Sequence, residues 1–152
     1  MLVYTDTSVI GGCFDKEFKE PSLALFDEFK TGTKKLLLSD LVKMELGAAN
    51  EQVNAKVNEV PARFKVEIKH TLKAGTLAAA YISQGAISDK CYNDALHIAL
   101  ATVHQADVLA SWNFKHIVNL DRIKLYNFVN LQLGYRSLKI KTPSAILKTI
   151  QP

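Results

Sequence analysis

Long apolar runs, paired cysteines and low-complexity stretches are all missing from this sequence, and each absence removes a class of protein. No window approaches the ~20 uninterrupted apolar residues of a membrane span. The richest, Ala95 to Val103, contains His97 and follows Asp94, so no membrane role is expected. The opening residues, MLVYTDTSVIGG, lack the basic stretch and long apolar run of a secretory signal, because Asp6 interrupts the apolar segment. The two cysteines, Cys13 and Cys91, are far apart and lack zinc-type spacing. That pattern suits a reducing compartment with free thiols, so a cytoplasmic protein with two buried structural cysteines is expected. No repeat or linker gives a second domain a place to begin.

What remains is an ordinary globular composition of 152 residues, 48% hydrophobic and 22% charged. This is near the commonest size for a single domain. The net charge of +4 is compatible with a polyanionic partner but does not require one. The basic residues are spread over Lys34–Lys35, Arg63–Lys73, Arg122–Lys124 and Arg136–Lys141. That distribution allows a folded basic surface and gives no sign of a disordered basic arm.

Residues 2–4 and 35–38 are short β-prone runs, each ending at a polar pair, Thr5–Asp6 and Ser39–Asp40. Between them Leu23, Phe26 and Phe29 recur at helical spacing, with Gly32 as a stop signal. Strand, crossover helix and strand imply a parallel pair. Ser39 or Asp40 is expected to cap a helix carrying Leu41, Val42, Glu45 and Leu46 that ends at Gly47. Residues 49–59 and 62–83 read as mostly helical, with a break at Gly75. Ser88 or Asp89 opens a helix through His104, and residues 107–111, D-V-L-A-S, form a third strand. A helix over 121–133, a strand over 137–140 and a helical turn over 144–150 complete the chain. Parallel strands alternating with helices require a sheet covered on both faces. The expected fold is therefore a single α/β domain over 1–152, a three-layer α/β/α sandwich with a mostly parallel central sheet.

In such a sheet, ligand sites lie beyond the carboxyl ends of the strands. Asp6 follows the first strand, Glu45 lies in the helix after the second, and Asp94 begins the helix before the third. Three carboxylates thus approach one edge from distant segments. Like charges gathered together call for a cation, and hard oxygen ligands favour Mg²⁺ or Mn²⁺ over zinc.

Four stretches in order, D-T-S-V-I at 6–10, S-D-L-V-K-M-E-L at 39–46, D-A-L-H-I-A at 94–99 and L-A-S-W-N-F at 109–114, resemble the PIN-domain family, whose largest group is the VapC-like toxins. The resemblance spans nearly the whole chain. It implies that Asp6, Glu45 and Asp94 bind a divalent metal and activate the water that cleaves RNA. It also implies a cognate antitoxin protein and a homodimer. The family's fourth acidic position falls at Asn113, where a neutral oxygen replaces a carboxylate. Asp107 begins its strand roughly 13 Å from the carboxyl edge, at ~3.3 Å per residue, and does not substitute. The departure at Asn113 leaves an alternative, a PIN module without catalysis acting as an RNA-binding or partner-binding scaffold. A haloacid-dehalogenase-type phosphatase with Asp6 as nucleophile would want an Asp two residues later, and Ser8 stands there instead.

Each of these residues also has an ordinary reading. Asp6 alone could cap a turn or the following helix, Ser8 a helix start, and Asn113 could be a turn residue. Ser8 and Ser111 could equally support a ligand carboxylate or a metal-bound water. His97 and His116 read as packed or surface histidines before acid-base groups. Trp112 reads as a base-stacking platform, as an anchor for its loop or as part of a subunit interface.

Overall fold

The computed structural model of the protein describes residues 1–47 and 51–148. Five parallel strands form the sheet: β1 (Leu2–Thr5), β2 (Lys35–Ser39), β3 (Lys65–Ile68), β4 (Val108–Ala110) and β5 (Ile140–Lys141), in the order β3-β2-β1-β4-β5. Alternation along the central strands divides the side chains between two cores, as the two-residue period requires. Tyr4, Leu37 and Leu109 face one way and pack with helices α5 (Leu72–Ser83), α6 (Tyr92–Val103) and α7 (Leu120–Gln132). Val3, Leu36, Leu38, Val108 and Ala110 face the other way. There they meet α1 (Thr7–Gly12), α2 (Lys19–Thr31), α4 (Glu51–Asn58) and residues around α8 (Pro143–Ile146). Helix α3 (Asp40–Leu46) sits at the end of the sheet, with Leu41 in the first core and Val42 in the second. This is the three-layer α/β/α arrangement expected from the pattern.

The strand order sets the site. From β1 the chain steps outward through β2 to β3, then returns across the sheet to place β4 and β5 on the other side of β1. The direction of winding therefore reverses between β1 and β4, and the crevice beyond their carboxyl ends is the natural ligand position. Residues 6 and 111 follow those two strands directly. Asp107 lies at the opposite edge, where its carboxylate accepts a hydrogen bond from the Leu2 amide at 2.6 Å.

Several elements differ from the sequence expectation. The stretch 62–83 is not mostly helical: a 3-10 turn at Ala62–Phe64 leads into β3, and only Leu72–Ser83 is α-helix. Gly75 does not break α5. A Cβ there would come within 3.3 Å of the His70 ring, so the glycine serves a close approach and the helix continues. The expectation gives the six-residue α1 no span and allows it only through Asp6 or Ser8 read as a helix cap. The last strand lies at Ile140–Lys141 instead of 137–140, held by its register with Leu109 and Ala110. Ser39 is the cap of α3, its side chain accepting from the Val42 amide. The carboxylate of Asp40 instead receives the His70 amide. The helix expected over 49–59 is seen from Glu51, and positions 49–50 lie outside the described residues. The terminal turn ends at Ile146; of the expected 144–150, positions 149–150 lie outside the described residues.

Candidate active site

Asp6 closes β1 and starts α1, yet its side chain does not cap that helix. It is 4% exposed, and both of its oxygens are taken by hydroxyls. Ser8 Oγ donates to Oδ1 and Ser111 Oγ to Oδ2, each at 2.6 Å. The two serines are oriented in the same way. Ser8 Oγ accepts from the Trp112 amide and Ser111 Oγ from the Asn113 amide, both at 2.9 Å. With their acceptor sides turned to the backbone, both hydroxyl protons point at the carboxylate. Burial pushes the Asp6 carboxyl above its ordinary range, opposed by the nearby His97 and by the two serine hydrogen bonds. A desolvated carboxylate with only neutral donors is a strong attractor for a cation.

Glu45 reaches the same edge from α3. Its Oε1 accepts from Thr7 Oγ1 at 2.8 Å and from His97 Nε2 at 2.5 Å. The hydrogen bond from His97 holds the Glu45 carboxyl below its ordinary range, against the opposing effect of its partial burial. Behind it runs a buried chain: His97 Nδ1 lies 2.7 Å from the Tyr4 hydroxyl, which lies 2.8 Å from Ser39 Oγ. Because Ser39 Oγ accepts from the Val42 amide, its proton is free for Tyr4, and the Tyr4 proton is then free for Nδ1. Both ring nitrogens of His97 are thus hydrogen-bonded, Nδ1 to the Tyr4 hydroxyl and Nε2 to the Glu45 carboxylate. His97 is therefore a packed histidine, as its sequence context suggested. It is also a direct partner of a candidate ligand, which the sequence did not indicate.

Asp94 stands in the first turn of α6. Its Oδ2 accepts from Asn113 Nδ2 at 3.3 Å, while Asn113 Oδ1 accepts from the His116 amide at 3.0 Å. Asn113 thus braces Asp94 with one end of its amide and fixes the turn with the other. Hydrogen bonds run along the edge in two stretches that meet at the adjacent residues Thr7 and Asp6: Glu45 to Thr7, and Asp6 to Ser111, Ser111 to the Asn113 backbone, and Asn113 to Asp94. Asp6, Glu45 and Asp94 are nevertheless spread along it. Among the described residues, the acidic, histidine or cysteine group with one ligand atom each within 4.8 Å of the others is Cys91, Asp94 and His116.

One sequence expectation changes here, and one open reading is narrowed. Cys13 is buried as expected, but Cys91 is only half-buried, with its sulfur 3.5 Å from His116 Nε2. Trp112 serves as the anchor of its loop. The indole stacks on Phe18 with ring centroids 4.3 Å apart and donates to Ser22 Oγ at 2.8 Å. Gly12 makes room for it, since a Cβ there would fall 2.9 Å from the indole nitrogen.

The sheet order, the two covered faces and the polar edge between β1 and β4 define a PIN-like α/β/α fold. None of the protein-family models compared matches the sequence, and no curated protein matches it. Solved structures do match. A chain of the VapBC2 complex from Rickettsia felis, bound to a DNA fragment from their promoter, superposes with a TM-score of 0.61 at 16% identity, covering 93% of this chain and 98% of that one. At this identity the likeness establishes the shared fold.

Proposed function

We propose that this chain is a divalent-metal-dependent endoribonuclease, the toxin of a type II toxin-antitoxin pair. The observation that carries the reading is the buried Asp6 carboxylate at the switch point of the sheet, held by Ser8 and Ser111 and not used as a helix cap. Glu45 and Asp94 on the same hydrogen-bonded edge complete an all-oxygen donor set suited to Mg²⁺ or Mn²⁺. Bound there, the ion supplies an activated water and offsets charge on the scissile phosphate of the RNA substrate. The protein's own part is orientation. Ser8 and Ser111 aim the two oxygens of Asp6, His97 and Thr7 hold Glu45, and Asn113 turns Asp94.

The shared fold with a chain of a VapBC2 complex supports an antitoxin partner for this chain. The outward-facing Leu120, Phe128 and Leu131 of α7 offer apolar surface for such a partner or for a homodimer. No helix among the described residues is long and apolar enough to cross a membrane, which fits a cytoplasmic site of action. The test is cleavage of RNA with and without Mn²⁺ by wild type and Asp94→Asn. Metal-dependent cleavage that disappears in the variant while the fold persists is expected, and equal cleavage by both overturns the proposal.

One observation favours a second reading, a non-catalytic RNA-binding or partner-binding module. Asn113 stands at an acidic position of the PIN pattern, and its amide is committed to Asp94 and the His116 backbone. Metal-independent RNA binding with no cleavage at any Mn²⁺ concentration would select it.

A further inference from the structure

We propose that Cys91, Asp94 and His116 form a binding site for a thiophilic divalent cation, with Zn²⁺ the chemical type, distinct from the all-oxygen site above although it shares Asp94. Thiolate, imidazole and carboxylate are the ligands of zinc, whereas Mg²⁺ avoids sulfur. The geometry matches. Zinc bonds of ~2.3 Å to sulfur and ~2.05 Å to nitrogen at a tetrahedral angle place the two ligand atoms about 3.5 Å apart. Cys91 Sγ and His116 Nε2 are 3.5 Å apart. The Asp94 ligand atom lies within 4.8 Å of both. Water would fill the fourth position.

The three residues are also held in place by the surrounding fold. Cys91 ends a 3-10 turn and Asp94 sits one turn later at the start of α6, so both project from one side of that junction. His116 belongs to the turn after β4, its amide donating to Asn113 Oδ1 and its carbonyl accepting from the Tyr126 hydroxyl at 2.6 Å. Asn113 also holds Asp94, so one side chain fixes two of the three ligands. The second ring nitrogen of His116, Nδ1, is buried without a hydrogen-bond partner.

The test is spectroscopic and does not depend on nuclease activity, so it can fail while the function proposed above stands, and the reverse. Metal-free full-length protein is titrated with Co²⁺ and then with Zn²⁺. One equivalent of Co²⁺ should give sulfur-to-cobalt charge-transfer absorption and intense tetrahedral visible bands, both removed by Zn²⁺. Cys91→Ser should abolish the charge-transfer band. His116→Gln should weaken Zn²⁺ binding by at least ~100-fold, beyond the ~10–100-fold typical of losing a residue that merely orients a ligand. Cys13→Ala should leave the spectrum unchanged. A cobalt spectrum without the sulfur band, a band that survives Cys91→Ser in folded protein, or Zn²⁺ affinity unaltered in His116→Gln would each overturn the proposal.

Discussion

Asn113 is where one side chain decides the character of two neighbours. Its Nδ2 lies 3.3 Å from Asp94 Oδ2, so Asn113→Asp exchanges an attractive contact for two carboxylates side by side. Without metal, the substitution should lower stability by roughly 1 kcal/mol, on the scale of a lost hydrogen bond plus repulsion. With Mg²⁺ present the sign should reverse, because the added carboxylate strengthens the hold on a cation. Calorimetric titration and melting of both forms check this: tighter Mg²⁺ binding with weaker metal-free stability is expected, and equal affinities would separate Asn113 from the metal site. Asp6, Glu45, Asp94, Ser8, Ser111 and Asn113 could be named from the sequence because they fall within the four PIN-like stretches, and Asp6, Ser8, Ser111 and Asn113 also because they follow strand ends. The joining of Glu45 to His97, Tyr4 and Ser39 could not, nor could that of Cys91 to His116. Such contacts link side chains 25 to 93 positions apart, and nothing local in the chain encodes them.

At the scale of elements, α3 shows how a cap can serve a site. Ser39 ends β2, caps α3 through the Val42 amide and hydrogen-bonds Tyr4, so one hydroxyl sets both the start of the helix and the chain behind Glu45. Ser39→Ala should cost about 1–2 kcal/mol, the usual price of a lost cap together with a buried hydroxyl left short of a partner. Chemical denaturation would measure it, and a change below ~0.5 kcal/mol would show that the chain behind Glu45 adds little. The strands β1, β2 and β4 were readable because they are buried runs between polar stops. The edge strand β3 was not. Its Lys65 and Glu67 interrupt the apolar pattern and Val66 is 42% exposed, as suits a short edge strand whose charges discourage pairing with another sheet. Helix α1 was hidden for another reason: T-S-V-I-G-G is too short to show a period, and its glycine serves Trp112 more than the helix.

For the molecule as a whole, Asp6 ties stability to pH and, in the function proposed above, to metal. Its carboxyl is raised above the ordinary range by burial, so the folded chain holds this proton more tightly than the unfolded one, whose value is about 3.9. The stability it contributes is full below that value and is lost as pH rises through the raised folded value. Glu45 acts in the opposite sense, since its lowered carboxyl favours the fold above the unfolded value and loses that contribution as pH falls. The clean measurement is therefore the difference between wild type and Asp6→Asn. For metal-free protein at neutral pH the variant should melt roughly 2–4 °C higher, about 1 kcal/mol for a chain of this size, and the gap should close as pH falls. Mn²⁺ should raise the melting temperature of wild type only. Scanning both forms across pH 4–8 decides it, and a constant gap would remove Asp6 as the cause.

The strand order has a consequence in time as well as in space. Ser111, which takes one oxygen of Asp6, lies 105 positions later in the chain. At the ~5–20 residues per second of synthesis, it is made roughly 5–20 s after Asp6. Within that interval β2 becomes available to one side of β1, the central strand of the finished sheet, while β4, its neighbour on the other side, has yet to be made. Pairings of this range also close slowly, because the entropy of the long intervening loop must be overcome before any contact forms. A nascent chain therefore carries Asp6 with no Ser111, Asn113 or β4 beside it. The edge is assembled only after β4 and the turn behind it have been made, so whatever this edge does is deferred until that late segment has joined the sheet.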